Sequence, residues 1–113
     1  MPSTFRGSDN FDTAGGNAVR AWVNFNGTGT VAIRASYNVS SITDNGTGDY
    51  TVNFTNAMPD ANYASTTGIR YLAGSGLSVA EIRPVNSSSV RLTSTATNGV
   101  AVDSEFVSVS VFR

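Results

Sequence analysis

Hydrophobic and polar residues alternate along most of the chain, which is the pattern of half-buried β-strands. The first run begins at Ala18 and keeps its apolar side chains on odd-numbered positions through Phe25. Similar runs cover residues 30–39 and 50–55, and valines alternate with Phe and Ser over residues 106–112. We expect one face of each run to pack into a core and the other face to meet solvent or a second layer.

Three further runs have weaker patterns. They lie near residues 62–72, 77–82 and 90–97. Leu77 and Val79 have one parity whereas Ala80 and Ile82 have the other, which predicts a β-bulge or an early strand end there. No segment shows the 3.6-residue period of an amphipathic helix.

Turn residues separate these runs. Asn26-Gly27 and Asn45-Gly46 each begin an Asn-Gly-Thr-Gly sequence, and they predict type I′ hairpin turns because both residue types tolerate positive φ. Gly74 to Gly76 and Asn98-Gly99 predict further turns, and Pro59 interrupts the pattern before residue 62. Seven to eight short strands with this spacing favour an all-β fold, a small antiparallel β-sandwich, with a small barrel as the alternative.

The first 17 residues show neither the two-residue period of a strand nor the 3.6-residue period of a helix. We expect residues 1–17 to form an N-terminal arm and residues 18–113 to form the β-sandwich domain. Phe5 and Phe11 would give the arm two apolar contacts with a neighbouring subunit, and a frayed terminus explains the same residues.

Composition excludes several classes of partner. A chain of 113 residues is large enough for one hydrophobic core. With a net charge of −1, the chain lacks the excess of basic residues with which nucleic-acid-binding proteins contact phosphates. There is no apolar stretch long enough for membrane insertion, and the start lacks the apolar region of a signal peptide. We therefore expect synthesis in the cytoplasm, which leaves release by lysis open.

The chain lacks the residues that most enzymes use. It contains no His, Lys or Cys, so a Ser or Thr nucleophile has no ordinary base, and we predict neither enzymatic activity nor a cofactor. A carboxylate glycosidase is a less favoured alternative. The segment Asp44 to Asp49 resembles part of a calcium loop, but a hairpin turn explains it with fewer assumptions, and no metal site is predicted.

Large aromatic residues lie on the predicted non-core faces. Trp22 stands beside Arg20, and Phe106 and Phe112 occupy the polar side of the last strand. Trp, Phe and Arg are enriched in subunit interfaces, so these four residues are predicted to form an oligomer interface. Burial under a second layer of the same chain and a carbohydrate-stacking platform are the alternatives.

The block RAWVNFNGTGTVAIRASYNVSSITDNGTGDYTVNFT, residues 20–55, resembles a module of tail-fibre and related virion proteins of tailed bacteriophages. The similarity continues through residues 57–63 and returns at residues 109–113. The resemblance implies a non-enzymatic virion structural protein, a homotrimer that binds other virion proteins. A capsid decoration protein fastened by its N-terminal arm is the alternative.

For a tail-fibre component, the resemblance implies attachment to the host, with a bacterial surface glycan as a possible receptor. Residues 64–105 match the module less clearly, as a region that varies with the receptor would. Turn chemistry there selects six candidate receptor residues, with Tyr71 as a stacking ring. They are Tyr71, Ser75, Asn86, Ser88, Asn98 and Asp103.

Overall fold

A computed structural model of the protein describes residues 19–70 and 78–113. These residues form eight β-strands and no helix. The strands are β1 (Val19–Asn26), β2 (Ala32–Tyr37), β3 (Val39–Gly46), β4 (Asp49–Phe54), β5 (Ala64–Arg70), β6 (Ser78–Asn86), β7 (Ser89–Ala96) and β8 (Phe106–Phe112). The predicted arm lies outside the described residues.

The strands form two antiparallel sheets of four. One sheet has the order β2-β1-β8-β5 and the other has the order β3-β4-β7-β6. This arrangement confirms the predicted small antiparallel β-sandwich. In the first sheet, the two central strands β1 and β8 come from opposite ends of the described chain and pair along most of their length.

The core lies between the two sheets. Val23 of β1 and Val109 of β8 face Val52 of β4 and Leu92 of β7, and each of the four is at least 99% buried. The alternation predicted for these strands is therefore confirmed. Two edge-to-face aromatic pairs close the core, Phe25 with Tyr50 at 5.2 Å and Phe54 with Tyr63 at 5.8 Å between ring centres.

The prediction of one half-buried strand over residues 30–39 is wrong. Asn38, with a φ of 57°, divides the run into β2 of one sheet and β3 of the other. All six residues of β2 are exposed, and β2 is an edge strand of its sheet. Periodicity reports the alternation of side chains but not whether another layer covers them.

The Asn38 side chain stabilises the corner between β2 and β3, where the chain passes from one sheet to the other. Its Nδ2 donates to the carbonyl oxygens of Arg20 and Asn56, each at 3.0 Å, and its Oδ1 accepts from the Asn56 N–H at 2.8 Å. Asn tolerates the left-handed backbone better than most residues. One residue therefore sets the corner angle and ties it to β1 and to the loop after β4.

The two Asn-Gly-Thr-Gly turns do not have the predicted type I′ form. Asn26 and Asn45 keep negative φ. Positive φ occurs at the second glycines, Gly29 at 59° and Gly48 at 66°, and in the second turn also at Gly46, at 130°. The first asparagine instead uses its side chain, because Asn26 Oδ1 accepts the N–H of Thr28 at 2.9 Å. An Asx turn competes with the type I′ geometry for the same sequence.

The expected bulge near Val79 lies elsewhere. The register of β6 against β7 shifts between Pro84 and Asn86, next to a proline that an edge strand tolerates. Ile82 packs on the core, whereas Val79 points outward and is 56% exposed. In the described part of β6 the parity change thus reflects an outward-facing Val79 and not a change of face, and Leu77 lies outside the described residues.

Candidate functional site

The strongest candidate site is the outer face of the β2-β1-β8-β5 sheet. Because Ala21, Val23 and Phe25 are buried, the intervening Trp22 and Asn24 lie on the outer side. The same alternation in β8 places Phe106, Ser108, Ser110 and Phe112 there. The predicted position of the three large aromatic residues off the core is confirmed, and Trp22 is 38% exposed.

Exposed apolar residues gather at one end of this face, which we call the Trp22 end. Trp22 pairs directly with Tyr37 of β2, which is 58% exposed, and Val19 is exposed nearby on β1. Phe112 pairs with Val19 across the β1–β8 ladder. Adjacent exposed rings of this kind mark interaction surfaces more often than isolated ones.

An open cleft of about 480 Å³ adjoins the Trp22 end. Arg20 and Tyr37 line one side, and residues 55–59 of the β4–β5 loop line the other. The Arg20 Nε donates to the carbonyl oxygen of Arg113 at 3.0 Å, which restrains the guanidinium. The volume lies within the roughly 300–1,000 Å³ of small-molecule sites.

A second cluster lies at the opposite end of the face, which we call the Phe106 end. The Arg34 guanidinium carbon lies 4.2 Å from the centre of the Phe106 ring, and the Arg70 guanidinium carbon lies 5.3 Å from it. Both distances are within the range of cation–π attraction. Phe106 and Phe112 are six residues apart on β8, so the two ends are separated by about 20 Å.

A β-bulge positions Arg34. Asn24 pairs with Ala35 and Phe25 pairs with Ile33, so Arg34 is the extra residue of β2. Its Nη1 donates to Asn24 Oδ1 at 3.2 Å, and its Nη2 donates to the Glu105 carbonyl at 2.8 Å. Bulges redirect side chains in this way. Arg70 reaches the ring on the same face from β5, on the far side of β8 from β1, directly opposite Phe106 in the β5–β8 ladder.

A shallow depression of about 240 Å³ adjoins the Phe106 ring. Asn24, Arg70, Phe106 and Ser108 line it together with Gly68 and the two neighbouring apolar residues. Gly68 lies directly opposite Ser108, and a Cβ atom at Gly68 would come within 3.1 Å of the Ser108 Oγ. The depression therefore depends on the missing side chain at position 68.

Charge is distributed unequally between the two sheets. The strands of the β2-β1-β8-β5 sheet contain three arginines, Arg20, Arg34 and Arg70, and no Asp or Glu. The opposite sheet contains three carboxylates and two arginines. A protein of net charge −1 thus presents one basic, aromatic face, which favours anionic partners.

Two carboxylates, Asp49 and Asp60, are held in ion pairs with arginines. Arg91 binds Asp49 through two hydrogen bonds and holds the pKa of that carboxyl below its usual range. Arg113 does the same for Asp60 and, with the backbone N–H of Asn62, lowers its pKa to about 2. The general acid of a glycosidase needs a raised pKa, so both shifts have the wrong direction for that role.

The segment considered for calcium is a hairpin. Asp44 Oδ1 accepts the N–H of Gly46 at 3.0 Å, while the Asp49 carboxylate binds Arg91. Over residues 19–70 and 78–113, no three acidic side chains gather as metal ligands would. Within the same residues, no helix has the length and apolar character needed to cross a bilayer.

Asp103, a candidate receptor residue, is bonded inside the protein. Its Oδ1 accepts the Gly48 N–H and lies 2.8 Å from the Tyr50 hydroxyl, which is also 2.8 Å from the Gly27 carbonyl. Burial and the neighbouring carboxylate raise the pKa of Tyr50, so the phenol stays protonated and donates. This network joins the β7–β8 loop to the β3–β4 turn.

The other candidate loop residues are not brought together. Asn86 and Ser88 lie in the turn before β7, where Asn86 Oδ1 accepts the Ser88 N–H at 2.7 Å. Asn98 lies after β7, and its Oδ1 accepts the Val100 N–H at 3.0 Å. Because β7 has eight residues, these two groups are roughly 25 Å apart at opposite ends of the sandwich.

Four predicted residues lie outside the described part of the chain: Phe5, Phe11, Tyr71 and Ser75. The sequence pattern missed Arg34, Arg70 and Tyr37 as surface-forming residues. Arg34 depends on a bulge and Arg70 on a partner 36 positions away, and neither leaves a local signal. No protein-family model, curated protein or solved structure matches the chain.

Proposed function

We propose that the protein is a non-enzymatic structural component of a tailed-bacteriophage virion, a homotrimeric tail-fibre or receptor-binding module that contacts the host surface. The observation that carries this proposal is the outer face of the β2-β1-β8-β5 sheet, where Trp22, Phe106 and Phe112 accompany three arginines. This face has the composition of a recognition surface, and the sequence of residues 20–55 resembles the phage module.

The chemistry of the described residues supports a role in binding and assembly. Ser and Thr hydroxyls have no base to activate them, since the sequence contains no His or Lys. Asp49 and Asp60 have lowered pKa values, and Asp103 is bonded to Gly48 and Tyr50. Side chains of this kind support binding through the protein surface and not catalysis.

Self-association is proposed to use the Trp22 end. Trp22 and Tyr37 are exposed aromatic residues directly opposite each other on β1 and β2, with Arg20 and Phe112 nearby. Large rings of this type, packed in the centre of an interface, supply most of its binding energy. Trimer formation would bury them and leave the loops at the other end of the sandwich accessible to the host.

Light scattering at micromolar concentration tests the assembly. We expect three times the chain mass for the native protein and a loss of the trimer for Trp22→Ser. The matched control is Val79→Ser, because Val79 is an exposed apolar residue of the opposite sheet. A native protein that remains monomeric, or equal dissociation by both substitutions, refutes this interface.

Immunogold labelling of intact particles tests the location in the virion. We expect gold on the tail, concentrated at its fibres. Label over the head with none on the tail would refute the fibre assignment and favour a capsid decoration protein. Particles without label would refute the virion proposal itself.

A further inference from the structure

We propose that the Phe106 end binds an acidic sugar, the hexuronate residue of a surface polysaccharide. This inference rests on the proposed attachment function and gives its receptor a chemical class. The site consists of the Arg34 and Arg70 guanidiniums on the Phe106 ring, with the Asn24 amide and the Ser108 hydroxyl beside them.

Two arginines concentrate positive charge at the Phe106 ring. Both guanidinium carbons lie within 5.3 Å of its centre, so two like charges lie near each other and repel. Among residues 19–70 and 78–113, no carboxylate forms an ion pair with either arginine. Glu105 contacts Arg34 only through its backbone carbonyl. A bound carboxylate would balance the two charges and use the planar geometry of the guanidiniums.

The Phe106 end is preorganised. Arg34 is fixed by its bonds to Asn24 Oδ1 and to the Glu105 carbonyl before any ligand arrives. Because Oδ1 of Asn24 is occupied, the amide turns its NH₂ donors to other partners. Among the described residues, the Ser108 hydroxyl donates to the Gly68 carbonyl over a long 3.4 Å, which leaves its oxygen able to accept. The guanidiniums and the amide therefore present donors to a carboxylate, and the Ser108 oxygen can accept from a sugar hydroxyl.

The shape suits one sugar ring. Gly68 leaves a depression of about 240 Å³ beside the Phe106 ring and the polar groups, while the Val107 side chain is buried in the core and Ile69 packs against that core. This volume is smaller than the roughly 300 Å³ at which sites for drug-sized ligands begin. A single pyranose ring of a longer chain fits such a depression, with its ring carbons against the Phe106 ring and its carboxylate toward the arginines. The open surrounding surface allows the polysaccharide to continue on both sides.

A matched pair of oligosaccharides tests the charge requirement. Tetramannuronate and β-1,4-mannotetraose share one backbone and differ in the C6 carboxylate. In nitrogen–proton NMR spectra of the native protein, the seven arginines give seven separate Nε–H signals to follow. We expect millimolar tetramannuronate to shift the Arg34 and Arg70 Nε–H signals and the Ser108 amide, and mannotetraose to leave them unchanged.

Substitutions locate the site. Arg34→Gln and Arg70→Gln should each weaken tetramannuronate binding about ten-fold, the expected effect of losing one charge-assisted hydrogen bond. Gly68→Val keeps every charge but fills the depression and should abolish binding. Arg83→Gln is the control, because Arg83 is exposed on the opposite sheet and paired with Glu81. Unchanged amide spectra away from the substitution confirm that each variant is folded.

Four outcomes overturn the proposal. The first is the absence of shifts at 10 mM tetramannuronate, on the order of the weakest binding that a single sugar site gives. The second is equal shifts with mannotetraose, and the third is equal weakening of binding by Arg83→Gln. The fourth is equal affinity for inorganic sulfate, which would indicate an anion site without sugar selectivity. Dissociation of the trimer by Arg70→Gln, with sugar binding retained, would assign the cluster to a second copy. Sugar binding by a protein that is missing from labelled particles would keep this site and refute the virion function.

Discussion

Substitution of Asn38 tests how one residue moves the chain from one sheet to the other. Asn38 has a φ of 57° and makes three side-chain hydrogen bonds, to the carbonyls of Arg20 and Asn56 and from the Asn56 N–H. Gly at this position keeps the left-handed backbone but loses the bonds. Ala loses the bonds and also disfavours the backbone conformation.

The size of each effect follows from these contacts. Three half-exposed hydrogen bonds at about 0.5–1 kcal/mol each make Asn38→Gly cost about 2 kcal/mol in the free energy of unfolding. A left-handed backbone adds about 1 kcal/mol for Ala, so Asn38→Ala should cost about 3 kcal/mol. For a domain of this size the melting temperature should fall by roughly 8 °C and 12 °C respectively.

Urea unfolding followed by the fluorescence of Trp22, the single tryptophan, measures both values. The control is Ser36→Ala, an exposed residue of β2 that should change stability by less than about 0.5 kcal/mol. Equal destabilisation by Gly and Ala would show that the backbone conformation contributes nothing. A Gly variant as stable as the native protein would refute the role of the side-chain bonds.

Three further predictions concern two turn glycines, the hydrogen bond between Tyr50 and Asp103, and the Asp60–Arg113 ion pair. Gly29 and Gly48 share a left-handed φ, but a Cβ at Gly48 would collide with the carbonyls of Ser94 and Val102. We expect Gly29→Ala to cost roughly 1 kcal/mol in the free energy of unfolding. Calorimetry should show Gly48→Ala to be far more destabilising. Tyr50→Phe and Asp103→Ala should each cost about 1–3 kcal/mol and be non-additive in a double-mutant cycle, because they break one network. Carbon NMR should place the Asp60 pKa at about 2, against an ordinary 3.8, and this pKa should rise in Arg113→Gln. Because the folded pKa is the lower one, the stability that the Asp60–Arg113 pair contributes is complete above pH 3.8 and is lost as pH falls toward 2.

The fold could be predicted from sequence wherever a strand has one covered face. The alternation of Val107, Val109 and Val111 with Phe106 and Phe112 placed β8 correctly, with its valines in the core and its phenylalanines outside. The same reasoning failed for residues 30–39, because alternation continues across Asn38 although the chain changes sheets there. Cover by a second layer is a property of the whole fold.

Polar contacts were the least predictable part of the site. Ser94 shares the core side of β7 with Val90 and Leu92 and is fully buried, but its bond to Ser104 at 3.1 Å has no signal in the sequence. Asp103 follows a turn, which predicts a surface ligand, whereas its partners Gly48 and Tyr50 lie more than 50 positions earlier. Arg34 and Arg70 meet on Phe106 only because a bulge and a cross-strand register bring them there. None of these contacts has a local sequence signal.

The pairing of β1 with β8 also has a consequence for the order of folding. The β3–β4 and β6–β7 hairpins close short loops, whereas Val23 must find Val109 across nearly the whole described chain. The loop-closure entropy of that step is high, so we expect the β3-β4-β7-β6 sheet to form early and the β2-β1-β8-β5 sheet to form last. The basic aromatic face would then exist only in chains that have completed folding. Partly folded chains could neither assemble nor bind through it, which would exclude defective subunits from the final structure.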